Sequence, residues 1–209
     1  MSIARERGKQ YTMHFAKALG NIVLDDSFDS AVRLVAKSNL TYGDDHKQYK
    51  IVTTGMGKAG AAMRKFSSIL CSLGFASCYL HPGEASHGDL GILEIDDVLF
   101  VASTSGKTRE VLEVICSARE LGVTKIVGIT SHKDSPMRDK VDVCLDMGEI
   151  EEAGLLGLAP TTSILVMLAI TDSIALVASE LNGLTKEEYS KFHHSGYCGA
   201  AARGDGIIH

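Results

Sequence analysis

Hydrophobic residues recur with two different periods along this chain, and the alternation between the two predicts its fold. Five short runs rich in β-branched and other apolar residues are typical of buried strands. They cover residues 50–54, 76–80, 97–102, 125–130 and 141–145. Apolar residues at helical spacing fill 58–73 and 108–121, and a short helix is predicted near 135–140. Strands that alternate with helices predict an α/β fold, with a doubly wound, five-stranded parallel sheet flanked by helices.

Further helices are predicted on both sides of this pattern. Residues 3–20 and 25–41 carry apolar positions at helical spacing. We expect residues 1–41 to form helices that pack on the domain or on a neighbouring subunit, and residues 42–209 to form the domain with its C-terminal tail. Residues 160–182 are apolar nearly all round a helix, which predicts burial in the domain or in an oligomer interface.

Polar or glycine-rich segments separate these elements. We expect a polar loop at 43–47, a glycine-rich irregular stretch at 83–91 and a polar, glycine-rich tail after Gly183. The longest apolar stretch, 164–178, is interrupted by polar residues and is shorter than a bilayer requires, so no membrane association is expected.

Composition narrows the possible functions. The chain has 209 residues, of which 45% are hydrophobic, and a formal net charge of −5. This charge, without a basic cluster, argues against a nucleic-acid partner. The five cysteines are scattered and form no CxxC pair, which is typical of reduced thiols. The N-terminal residues lack the apolar core of a signal peptide, so we expect a cytoplasmic protein.

The first predicted strand opens into Gly55-x-Gly57-x-x-Gly60 at the start of a helix. This spacing matches the dinucleotide-binding fingerprint, but the next strand ends at Leu80 without the acidic residue that would bind a ribose. A nicotinamide site is therefore not expected. The glycines either form only a tight turn or contact a ligand, and Lys58 is placed to meet an anion or a sugar oxygen.

The third predicted strand opens into a second loop, residues 103–108 (STSGKT). Its end resembles a nucleotide P-loop, but Val101 stands where the first glycine of that motif belongs, so no Mg-nucleotide site is expected. Hydroxyls together with helix N-terminal amides bind a monophosphate without a metal. Because the loop carries more hydroxyls than a helix cap needs, we predict that they bind phosphate. The hydroxyl residues are Ser103, Thr104, Ser105 and Thr108.

Residues 81–91 (HPGEASHGDLG) concentrate ionisable side chains in a predicted loop. They hold two histidines and two carboxylates among three glycines, and they include Glu84 and His87. Histidine titrates near neutral pH and loops carry many functional groups, so this segment is a candidate for proton transfer.

Two candidates lie further along the chain. Glu152 precedes a glycine-rich turn, and it belongs either to a solvated acidic face or to a catalytic site as general base. The adjacent His193 and His194 are, by their position in the tail, more typical of a surface or a chance metal site than of a catalytic centre.

Several segments resemble the sugar isomerase (SIS) domain, and more closely the D-arabinose 5-phosphate isomerases that begin the biosynthesis of 3-deoxy-D-manno-octulosonate (Kdo). The HPGEASHGDLG and LGLAPT strings are specific to these isomerases, whereas the remaining segments occur across SIS domains. The matching segments are 55–60, 81–91, 103–110, 157–162 and Asp172.

The resemblance implies a flavodoxin-like, three-layer α/β/α fold and a homotetramer with active sites between subunits. The implied reaction interconverts D-ribulose 5-phosphate and D-arabinose 5-phosphate through a cis-enediol, without a metal or other cofactor. Its product would serve lipopolysaccharide or capsule synthesis.

The same resemblance implies roles for individual residues. Glu152 would act as the base, Lys58 would polarise the enediolate oxygen and Glu110 would orient the reacting groups. His87 or His193 would open the sugar ring and relay the proton. Further substrate contacts are expected from Gly57, Glu84, Thr161 and Thr162.

This chain departs from the family pattern at three places. Lys107 stands where an acidic residue usually follows Ser-Gly, and Ala200 stands where the tail usually has arginine. Many family members continue into paired CBS domains, whereas this sequence stops at His209. Feedback by the downstream product CMP-Kdo is therefore expected at the catalytic cleft.

Two alternatives stay open. SIS domains also serve as non-catalytic sensors of sugar phosphates, although residues 1–49 are too short and too weakly basic for the helix-turn-helix of such regulators. The second alternative is an isomerase of another phosphosugar, such as sedoheptulose 7-phosphate.

Overall fold

Five parallel strands form the centre of the structure, a computed structural model that describes residues 2–38 and 49–205. The strands are β1 (Ile51–Gly55), β2 (Ser77–Leu80), β3 (Val98–Ala102), β4 (Lys125–Thr130) and β5 (Val143–Asp146). Their order in the sheet is β2-β1-β3-β4-β5, and all four pairings are parallel. The expected doubly wound, five-stranded α/β fold is confirmed. The polar loop predicted at 43–47 lies outside the described residues.

Eight α-helices surround the sheet in the described part of the chain. They are α1 (Ile3–Gly20), α2 (Asp26–Lys37), α3 (Gly57–Ser72), α4 (Pro82–Ala85), α5 (Arg109–Glu120), α6 (Thr162–Leu181), α7 (Lys186–Phe192) and α8 (Gly196–Arg203). Two short 3-10 turns, Asp89–Ile92 and Arg138–Lys140, complete the structure.

Two hydrophobic layers separate the sheet from its helices. On one face, side chains of α2, α3 and α6 pack against β1, β3, β4 and β5, and Phe66 meets Phe100 edge-on at 5.2 Å between ring centroids. On the other face, α5 packs on the sheet through Val111 and Ile115. The structure therefore has three layers, α/β/α, as the resemblance implied. Because both faces are covered, β1 and β3 are buried along their whole length, as expected for a parallel sheet.

The N-terminal helices differ in how they pack. Phe28 and Val35 of α2 belong to the same hydrophobic core as the sheet, whereas α1 has no buried residue and lies against α6. The proposed division of the chain at residues 41 and 42 falls on residues outside the described part, and it stays a prediction.

Helix α6 covers 20 residues, close to the predicted range 160–182. By length and composition alone it is long and apolar enough to cross a membrane. The helix nevertheless buries ten of its residues, among them Met167 and Ile174, and these pack in the core under the sheet. Core helices of soluble proteins have the same composition.

Two segments expected to be irregular form short helices. In the stretch 83–91, Pro82 begins α4, and His81 Nδ1 accepts a hydrogen bond from the backbone N–H of Gly83. In the tail, Thr185 and Glu188 form a reciprocal capping box that starts α7. The proline at the start of α4 and the capping box at the start of α7 are both recognisable in the sequence. The prediction gave more weight to the glycines in these segments and therefore expected irregular structure.

Candidate active site

A cleft of about 310 Å3 opens at the carboxyl edge of the sheet. β1 and β3 are paired in register from Ile51 with Val98 to Gly55 with Ala102, so the loops that follow these strands start side by side. The start of α3, the loop 103–108, the residues after β4 and the start of α6 surround the cleft. Its lining consists of Met56, Lys58, Ala59, Ala102, Ser103, Thr104, Ser105, Thr108, His132, Pro160 and Ile164.

The loop 103–108 is closed by hydrogen bonds between its own groups. Ser103 Oγ lies 2.8 Å from Thr108 Oγ1 and accepts a hydrogen bond from the backbone N–H of Gly106 at 3.0 Å. Gly106 has φ +62°, and a Cβ there would lie 1.7 Å from Ser135 Oγ. Only glycine therefore fits this turn, which leads directly into the N-terminus of α5.

The residues after β4 hold this loop in place. The backbone oxygen of Thr104 accepts hydrogen bonds from Thr130 Oγ1 at 3.1 Å and from the backbone N–H of Ser131 at 3.0 Å. Further out, Lys107 Nζ lies 2.8 Å from Asp134 Oδ2, and this hydrogen bond lowers the pKa of Asp134 below its ordinary value. The loop is thus fixed to the neighbouring strand before any ligand binds.

The first glycine loop brings α3 unusually close to β1. A Cβ at Gly60 would lie 2.4 Å from the backbone oxygen of Gly55, which also accepts a hydrogen bond from the hydroxyl of Tyr79 at 2.7 Å. This close approach places the exposed Lys58, in the first turn of α3, at the cleft opposite the loop 103–108. Gly57, at φ +60°, forms the turn between strand and helix.

Glu152 lies at the N-terminus of α6. Its Oε2 accepts hydrogen bonds from the backbone N–H groups of Thr161 and Thr162, both at 2.8 Å, and its Oε1 accepts one from Ser163 Oγ. Partial burial acts to raise the pKa of Glu152, but the hydrogen bonds from Ser163, Thr161 and Thr162 outweigh it and lower the pKa below its ordinary value. The carboxylate is therefore ionised at neutral pH and caps a helix that begins beside the cleft.

Eight predicted site residues lie outside the lining of the cleft that the described residues form: Gly57, Glu84, His87, Glu110, Glu152, Thr161, Thr162 and His193. Glu84 and His87 are exposed beside β2, and Glu110 is half-buried in the first turn of α5. His193 lies at the far end of α3, where its Nε2 is 2.8 Å from Ser72 Oγ. With a helical rise of about 1.5 Å per residue, Lys58 and Ser72 are about 21 Å apart along α3. His193 is thus remote from the cleft of its own chain.

The prediction missed His132, Pro160 and Ile164 as lining residues. His132 follows the strand 125–130 almost directly, and parallel strands deliver the residues after them to the same edge of the sheet. The position of His132 just after a predicted strand was therefore the signal that could have identified it as a lining residue. Asp172, a residue of the resemblance, lies in α6 and forms an ion pair with Lys65 of α3, which ties two core helices together.

The described residues contain no group of three or more His, Cys, Asp or Glu side chains arranged to hold a metal ion. The chemistry of the cleft is instead that of an anion site: hydroxyls, backbone amides, a helix N-terminus and one lysine. Such a site fits a phosphomonoester.

Comparisons with known proteins agree with this chemistry. A family model described as the SIS domain matches residues 46–177. Arabinose 5-phosphate isomerase KdsD of Pseudomonas aeruginosa is 37% identical over 150 residues, which are 72% of this chain and 46% of that protein. The chain spans about half the length of the curated relatives it matches.

Two solved structures have closely similar folds. A candidate phosphosugar isomerase of Bacteroides fragilis, described as involved in capsule formation, is 40% identical, with a TM-score of 0.87 over 93% of this chain and 99% of that one. A protein of Escherichia coli CFT073, solved in complex with arabinose 5-phosphate, is 29% identical, with a TM-score of 0.82 over 92% of this chain and 100% of that one.

Proposed function

Because this chain belongs to the SIS domain family, we propose that its cleft binds a sugar phosphate and interconverts D-ribulose 5-phosphate and D-arabinose 5-phosphate. The observation that carries this proposal is the convergence of the hydroxyl loop 103–108, the start of α5 and Lys58 on one cleft. The relatives named arabinose 5-phosphate isomerase, and the E. coli protein bound to that sugar phosphate, support the choice of substrate.

The reaction moves a hydrogen between neighbouring carbons of the substrate. A base removes the proton beside the carbonyl, a cis-enediol forms, and the same proton returns to the adjacent carbon. The ionised Glu152 is our candidate for this base, and Lys58 is the candidate that stabilises the enediolate oxygen. The low pKa of Glu152 makes it a weak base, so the substrate must displace some of its hydrogen bonds to α6.

The position of His193 supports a site shared between subunits. Since His193 lies at the opposite end of α3 from Lys58, we propose that it acts in the cleft of a neighbouring subunit in a homotetramer. His87 and Glu84, both exposed on the loop after β2, and Glu110 are proposed to face the sugar in the same assembled site.

The biological setting is also part of the proposal. We place the reaction in the cytoplasm, as the first step of Kdo synthesis for lipopolysaccharide or capsule, with no metal requirement. CMP-Kdo is proposed as a feedback ligand of the cleft, because it carries phosphate and carboxylate groups that the anion site would accept.

An isomerase assay tests the proposal directly. The purified chain is incubated with ribulose 5-phosphate, with and without a chelator, and arabinose 5-phosphate is measured by chromatography. We expect conversion at the same rate in both. If the chain converted sedoheptulose 7-phosphate but not ribulose 5-phosphate, its substrate would be a different phosphosugar from the one proposed. Binding of arabinose 5-phosphate without turnover would identify a sensor.

A further inference from the structure

His132 lies in the cleft although no recognised motif includes it. It follows β4, and its backbone oxygen accepts hydrogen bonds from Arg138 Nε at 2.8 Å and from the backbone N–H of Ser135 at 3.3 Å. The residue before it, Ser131, donates to the backbone oxygen of Thr104 at 3.0 Å. The backbone of His132 is therefore fixed relative to the hydroxyl loop 103–108.

In the part of the chain that the structure describes, the His132 imidazole has one carboxylate beside it. Its Nδ1 lies 4.0 Å from Asp134 Oδ1, and Asp134 in turn binds Lys107. Lys58 of α3 lines the same cleft as His132. Among the described residues, Nε2 has no hydrogen-bond partner.

We propose that His132 helps to bind the substrate by donating a hydrogen bond from Nε2 to the phosphate of the bound sugar phosphate. The proposal rests on the proposed function of the cleft. The phosphate end is favoured over the sugar end because Thr130 and Ser131, which directly precede His132, both donate hydrogen bonds to the backbone oxygen of Thr104 in the hydroxyl loop. A phosphate bound there would also be attracted by Lys58, which lines the same cleft.

The test compares three variants of the full chain. His132→Ala removes the donor, His132→Arg keeps an N–H donor, and Lys133→Ala serves as the matched control. Lys133 is the next residue, but its Nζ lies 3.6 Å from Glu149, and Lys133 is outside the lining of the cleft. Because the His132 side chain is 51% exposed, these substitutions leave the core intact.

Two quantities are measured for each variant. The KM and kcat for arabinose 5-phosphate report on the reaction, and the Kd of inorganic phosphate from calorimetry reports on the anion site alone. For His132→Ala we expect KM and the phosphate Kd both to rise about tenfold, with kcat retained, because a hydrogen bond to a charged acceptor is lost. His132→Arg should retain most of the wild-type binding, and Lys133→Ala should change neither quantity.

The outcomes separate this inference from the proposed function. Unchanged KM and phosphate Kd in His132→Ala would overturn the role of His132, and so would a fall in kcat alone, which would assign the residue to proton transfer. If the wild-type chain binds phosphate but isomerises no pentose phosphate, the proposed reaction fails. Weaker phosphate binding by His132→Ala would still support the contact in that case.

Discussion

Replacing Gly106 with alanine perturbs the turn on which the proposed phosphate site depends. Two costs arise at this position. The backbone has φ +62°, a conformation that L-residues with a Cβ disfavour, and the new Cβ would lie 1.7 Å from Ser135 Oγ and 2.7 Å from Ser135 Cβ. Ser135 is buried, so it has little room to move away.

The two costs have different sizes. A left-handed backbone conformation costs about 1–2 kcal/mol for alanine. Overpacking against a buried neighbour adds about 1–3 kcal/mol. Gly183 provides a matched control, since its φ is +65° and a Cβ there would meet nothing within 4 Å. The free energy of unfolding should therefore fall by only the first amount in Gly183→Ala and by the sum of both amounts in Gly106→Ala.

Urea unfolding of the two variants, together with Ser135→Gly and the double variant, measures these terms. Because Ser135→Gly removes the clash but not the backbone strain, we expect a coupling energy of about 1–3 kcal/mol between positions 106 and 135. We also expect Gly106→Ala to reduce kcat/KM about 100-fold, since the hydroxyl loop is displaced. Equal losses of stability in Gly106→Ala and Gly183→Ala, or no coupling in the cycle, would refute the steric argument.

Two further predictions concern the acid–base groups. Glu152→Gln should lower kcat about 100-fold if Glu152 is the base, and should cost about 1 kcal/mol of stability at pH 7 by removing a charge from the N-terminus of α6. Since the folded-state pKa of Glu152 lies below the unfolded value, this stabilisation is complete above the unfolded value, about 4.3, and is lost as the pH falls through the folded-state pKa. Denaturation of both proteins at pH 7 and below pH 4 measures how far the difference in their stability shrinks. A retained kcat in Glu152→Gln would leave Glu152 as a helix cap only. Lys58→Ala and His193→Ala, inactive alone, should regain about a quarter of the wild-type rate when refolded together, because each shared site combines residues of two subunits; a mixture no more active than its components would contradict the shared site.

The sequence predicted the sheet because its strands carry an unambiguous signal. Runs such as 98–102 are apolar at consecutive positions, which is typical of a strand covered on both faces. The hydroxyl loop 103–108 and Lys58 were also predicted, since their positions follow directly from the ends of β3 and β1. Lys58 and the hydroxyl residues of the loop all line the cleft.

The other candidate residues are placed by contacts between segments that are distant in the sequence, and no local sequence pattern encodes such contacts. His132 enters the cleft because β4 lies beside β3, and the sequence has no motif at that position. The capping of α6 by Glu152 joins residues nine to eleven positions apart across a glycine-rich turn. The place of His193 depends on how α7 folds back onto the end of α3, which a tail of polar residues does not reveal.

The strand order has a consequence for how the chain acquires its structure. β1 lies between β2 and β3, and each of these pairings joins parallel strands, so every pair is connected by a crossover rather than by a hairpin. During synthesis, β3 gains its second neighbour only when residues 125–130 have left the ribosome. Until then one edge of this wholly apolar strand is unpaired, and an unpaired apolar edge is a site at which other chains can add.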